Sequence, residues 1–95
     1  MGLRIRLTIE CKRAWRSLHI DVQKSLKTAI KKLSNGEIKG KELTEELAGY
    51  SSIKVGNHRA IYRFIENMLV VFDVGHRGKI YSKAILNKGD SLETI

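Results

Sequence analysis

The chain has 95 residues, with 18 Lys and Arg against 10 Asp and Glu, three His, one Cys and no Pro. That length fits one domain, residues 1–95, around one core, and 42% apolar with 29% charged residues excludes a disordered chain. The lone Cys excludes an internal disulfide or a cysteine-based zinc site and suggests a reducing, cytoplasmic setting, and no apolar run approaches a membrane span.

Leu3, Ile5, Leu7 and Ile9 alternate with Arg4, Arg6 and Thr8, the period of a half-buried strand. Trp15, Leu18, Val22, Leu26, Ile30 and Leu33 then recur every three or four residues, giving a helical apolar face opposite Lys24, Lys27, Lys31 and Lys32. Either one long helix or a two-helix hairpin fits, the hairpin breaking near His19 with Asp21 as N-cap. Asn35-Gly36 stops the helical pattern, and a short helix is expected through Glu42–Leu47. Ile53 to Val55, Gly56-Asn57, His58 to Ile65, Glu66-Asn67 and Met68 to Val74 read as strand, turn, strand, turn, strand. Leu69-Val70-Val71-Phe72 is apolar on both faces, so that strand should be central. A Gly75–Gly78 loop and a last strand over Lys79 to Ile85 complete the pattern. The fold class is α+β: an N-terminal strand, helices packed on one sheet face, and an antiparallel meander whose other face is open.

Charge is unevenly placed. Residues 1–34 carry nine basic and two acidic side chains, residues 35–50 two and four, and residues 51–95 seven and four. The net +8 suits a polyanion, because Lys and Arg displace counterions from phosphates, although an acidic protein would answer the same charge.

Lys54, His58, Arg59, Arg63, His76, Arg77, Lys79 and Tyr81 fall on or beside the strand ends and the glycine-flanked loop. Cleavage of RNA by a neighbouring 2′-OH needs a base for that hydroxyl, cations for the pentacoordinate phosphorus and an acid for the leaving 5′-oxygen. Arg supplies a planar fork for phosphate oxygens. His transfers protons near neutral pH, and Tyr can join if surrounding cations lower its pKa. Such chemistry needs no metal or other cofactor, and no Asp, Glu or Cys stands at ligand spacing from two of the His. Each residue also has a plainer reading. Tyr62 and Phe64 fit a core strand, Trp15 fits helix packing, His58 fits cross-strand packing, and Arg63 can pair with Glu66.

Leu47-Ala48-Gly49, then Ile53-Lys54-Val55-Gly56-Asn57-His58-Arg59-Ala60-Ile61-Tyr62-Arg63, then Val70-Val71-Phe72-Asp73-Val74-Gly75-His76-Arg77 with Tyr81, resembles the RelE/ParE superfamily of type II toxins. The resemblance runs nearly end to end and implies the RelE-like sheet with helices on one face. For the RelE branch it implies a ribosome-dependent endoribonuclease cutting mRNA in the decoding site by metal-free 2′-OH attack, held in check by a cognate antitoxin in a hetero-oligomer. Carried over by position, Arg59 clamps the scissile phosphate, Arg77 stabilises or protonates the leaving oxygen, and Tyr81 is base or stacking partner. His76 shares the acid–base role or shapes the loop, and Lys54 stabilises charge. His58, Lys79 and Arg63 are candidate substrate contacts. Ser52 departs from the family by standing where some active members carry a second lysine, and His58 sits where Tyr is common. The resemblance leaves two further readings open: a ParE-type toxin that poisons DNA gyrase without cutting RNA, and a degenerate member that only binds nucleic acid.

Overall fold

The computed structural model describes residues 2–76 and 92–94. The elements in chain order are β1 (Arg4–Thr8), α1 (Ile9–Arg16), α2 (Ile20–Ser34), β2 (Lys41–Glu42), a 3-10 turn (Glu45–Leu47), β3 (Ser51–Val55), β4 (His58–Ile65), β5 (Met68–His76) and β6 (Leu92–Thr94). The expected strand over Lys79–Ile85 lies outside the described residues, and β6 was not anticipated.

The helical periodicity resolves into two helices. Thr8 starts α1, its hydroxyl accepting from the Cys11 amide at 3.1 Å and donating to the Phe72 carbonyl at 3.2 Å. At the corner, the Gln23 side-chain amide donates to the Trp15 and Leu18 carbonyls at 2.7 and 3.2 Å, tying α2 to the end of α1. His19, rather than Asp21, caps α2: its Nδ1 accepts from the Asp21 amide at 3.1 Å. Asp21 sits instead in the first turn, where its charge suits the helix dipole.

The described strands form one sheet in the order β2-β3-β4-β5-β1-β6. β3, β4 and β5 are the antiparallel meander, joined by two-residue turns in which Gly56 and Glu66 take positive φ. β1 lies parallel to β5 on its far side, which makes β5 interior, as its two-faced apolar run requires. Both helices cover one face, where Cys11, Leu26, Ile30 and Leu33 pack on Leu7, Ile53, Ala60, Tyr62, Leu69, Val71 and Val74.

The other face is less open than the sequence suggests. Tyr50, with Leu43 and Leu47, covers Ile61, Val70 and Phe72 as a second, smaller apolar cluster. The helix expected through 42–47 is cut back to the 3-10 turn at Glu45–Leu47 because the segment before it folds back on β3: Lys41 and Glu42 pair with Ser52 and Ser51, and the Leu43 amide donates to the Tyr50 carbonyl at 2.9 Å. Phe64 is 51% exposed, more open than the core or half-core position the alternation suggests, because it borders a groove at the end of α2 that no helix fills.

Candidate active site on the sheet face

Register decides which sequence-flagged side chains meet. Lys54 stands directly opposite Arg59 on β3 and β4, and Arg59 is opposite Gly75 on β5. Alternation with the helix-covered Ile53 and Ala60 puts Lys54 and Arg59 on the face turned away from the helices. Glycine at 75 leaves the position beside Arg59 without a side chain, so a substrate can approach the strand there. Arg59 is half-buried with its Nε shielded from solvent. A cavity of about 470 Å³ at this end of the sheet is lined by Lys39, Gly40, Lys41, Ser52, Ile53, Lys54 and Arg59.

Lys39 and Lys41 belong to this groove although the sequence reading passed over them. Lys41 is brought in by β2, where it pairs with Ser52, and the loop before it is tied to the sheet by the Gly40 amide, which donates to the Tyr62 hydroxyl at 2.9 Å. A Cβ at position 40 would run into that hydroxyl and into the Ser52 carbonyl, so glycine lets the loop lie close. Burial raises the Tyr62 pKa, so the phenol stays protonated and neutral. Ser52 is buried under this loop and adds no charge.

Arg63 shares the face of Lys54 and Arg59 but not their groove. It heads a row across the sheet, Arg63 to Val70 to Arg6. Its guanidinium lies 5.6 Å from the centre of the Tyr50 ring, a cation–π contact, and Tyr50 meets Phe72 edge-on at 5.0 Å.

His58 and His76 are brought together, but on the helix-covered face. They are opposite each other at the β4–β5 end, with ring centres 5.8 Å apart and planes at 75°. His58 also lines a cavity of about 340 Å³ with Asp21, Val22 and Ser25 of α2 and the Val55–Asn57 turn. Arg77, Lys79 and Tyr81 lie outside the described residues; Arg77 directly follows His76 at the end of β5.

Asp73 is a carboxylate set in an apolar strand, and the sequence reading gave it no role. Burial pushes its pKa up to about 6, the Glu10 charge adds to the rise, and the Val74 amide, donating to its Oδ1 at 2.9 Å, offsets part of it. Cys11 is fully buried and its thiol is pushed far up by that burial, which makes it an inert core residue. Among the described residues, no three His, Cys, Asp or Glu side chains gather at metal-binding distance.

With this geometry in place, comparison with known proteins is informative. Residues 6–81 match the model of the ParE toxin of type II toxin–antitoxin systems. No curated protein sequence matches the chain. Among solved structures, the RelBE2 toxin–antitoxin complex of Mycobacterium tuberculosis is similar at 28% identity and a TM-score of 0.71, over 81% of this chain and 100% of that one. A free E. coli toxin RelE mutant is similar in fold at 22% identity and a TM-score of 0.72, over 92% of this chain and 98% of that one. A copper-bound mutant toxin from Helicobacter pylori shares the fold at 13% identity and a TM-score of 0.74, over 83% of this chain and 99% of that one. The strand, the two helices, the meander and the family match agree: the chain belongs to the ParE toxin family of the RelE/ParE superfamily, and it is a toxin of a type II toxin–antitoxin system.

Proposed function

We propose that this toxin is a ribosome-dependent endoribonuclease that cuts mRNA in the decoding site. The observation that carries the reading is the groove in which Lys39, Lys41, Lys54 and Arg59 converge. Four cations around one groove match what a phosphodiester passing to a pentacoordinate state needs. The 2′-oxygen attacks phosphorus, the bond to the 5′-oxygen breaks, and the hydroxyl proton leaves to a base while an acid supplies one to the leaving oxygen. Arg59 clamps the phosphate by its fork, Lys54 adds charge, and Arg77 and Tyr81 are the candidates for proton transfer and leaving-group stabilisation, while His76, on the other face, shapes the loop that carries Arg77. Arg63 and Lys79 are contacts further along the RNA, and His58, on the opposite face, is outside that path. No cofactor takes part.

The reading places residues 1–95 in one toxin domain in the cytoplasm, bound by a cognate antitoxin until released. Support for that partner is that similar toxins are found in toxin–antitoxin complexes. Among the described residues no helix is long and apolar enough to cross a membrane. The match to the ParE family favours a second reading, a gyrase poison without RNA chemistry.

Primer extension on mRNA from ribosomes stalled on a defined message separates the two. Cutting within the decoding-site codon is expected, absent on naked RNA. Arg77→Ala should slow it on the order of a hundredfold, with ribosome affinity little changed, if Arg77 acts on charge present only in the transition state. Intact message together with inhibited DNA supercoiling would establish the gyrase reading.

A further inference from the structure

We propose that His58 and His76 form a two-imidazole chelating site for a late first-row divalent cation such as Zn(II) or Cu(II). The residues are far apart in sequence, so no ligand spacing announces them; the β4–β5 register makes them direct neighbours. An ion about 2.1 Å from a ring nitrogen lies about 3.2 Å from that ring's centre, so one ion joins centres 5.8 Å apart with an N–metal–N angle of about 130°. That is a modest opening of the tetrahedral angle. His76 is solvent-exposed, so its ring turns about χ2 toward the gap without displacing packed atoms.

The backbone beneath both rings is held by the longest strand pairing of the sheet, which runs from His58–His76 to Ile65–Met68. The backbone positions of both ligands are therefore fixed before the ion binds, and only the ring angles adjust. Asp21 of α2 lines the same cavity as His58, but its carboxylate lies 3.6 Å from the His19 Nδ1. Since no third ligating side chain lies within reach among the described residues, water fills the remaining positions. The site is then exchangeable, with imidazole selecting Zn and Cu over hard ions such as Mg. It stands on the opposite face from Lys54 and Arg59 and does not depend on the RNA-cleavage reading.

The test uses tag-free full-length protein, which holds only three histidines. Zn(II) is titrated while the imidazole nitrogen and proton signals are followed by NMR, with Mg(II) as the comparison ion. The His58 and His76 signals should shift together at micromolar Zn(II), ahead of His19, and Mg(II) should leave them unmoved. His58→Gln and His76→Gln should each weaken Zn(II) binding by calorimetry tenfold or more, while His19→Gln leaves it unchanged. Unmoved signals in the wild-type protein at millimolar Zn(II), binding that survives both variants, or binding lost with His19→Gln would each overturn the proposal.

Discussion

Lys54 and Arg59 oppose each other across a strand ladder, where like charges repel. Lys54→Thr, which suits a strand and removes the repulsion, should raise unfolding stability by about 0.5 kcal/mol in urea titration. The same variant should slow RNA cleavage, and a loss of stability instead would make Lys54 a structural residue. Asp73 offers a second test. Its folded pKa of about 6 lies above its ordinary 3.8, so its contribution to stability is complete below about pH 4 and is lost as pH rises through 6. Asp73→Asn should therefore stabilise the fold at pH 7.5 by roughly 1 kcal/mol, a figure reduced from the full shift because the carboxylate is partly solvated. The gain should vanish below pH 4, as measured by thermal melts across pH. At this scale the sequence was readable for residue types and not for company. It named Lys54, His58, Arg59, Arg63 and His76, but which of them share a face depends on register. Lys39 and Lys41 could not be found, because their place follows from β2 pairing with β3 and from the loop tied to Tyr62.

The elements rest on a few local devices. Thr8 joins strand, helix and sheet by one hydroxyl that both caps α1 and reaches the Phe72 carbonyl. Thr8→Val keeps the shape but strands the Cys11 amide and the Phe72 acceptor in a buried site, and should cost about 2 kcal/mol in chemical denaturation. Substitution at an exposed cap would cost less. Most elements were legible because their signals are local: alternation in β1, the apolar face of the helices, and Gly56-Asn57 between β3 and β4. Two were not. The helix read through 42–47 became an edge strand and a 3-10 turn because pairing with Ser51 and Ser52 and burial of Leu43 and Leu47 outweighed weak helical propensity. Asp21 looked like the cap of α2, but His19 sits one residue before the helix, where a side-chain acceptor reaches the open amides.

At the scale of the molecule, charge sets how the toxin meets its target. With about four phosphate contacts from the groove lined by Lys39, Lys41, Lys54 and Arg59, raising salt from 50 to 200 mM should weaken binding to ribosomes roughly fiftyfold. A flat response in a filter-binding series would remove the polyanion from the account. The fold class could be read from the order of patterns, since strand, helices and meander leave few packings that bury every apolar face. The parallel pairing of β1 with β5 could not, because nothing local distinguishes which edge of the meander the first strand takes. That pairing also orders events during synthesis. β1 is made first, yet its neighbour β5 and the Phe72 carbonyl that Thr8 reaches come 64 positions later. Arg6 joins the row with Val70 and Arg63 only after Met68–His76 has left the ribosome. A half-translated chain therefore has neither a closed sheet nor an assembled basic face, so the surface that meets any target comes into being only after the β5 segment has been made.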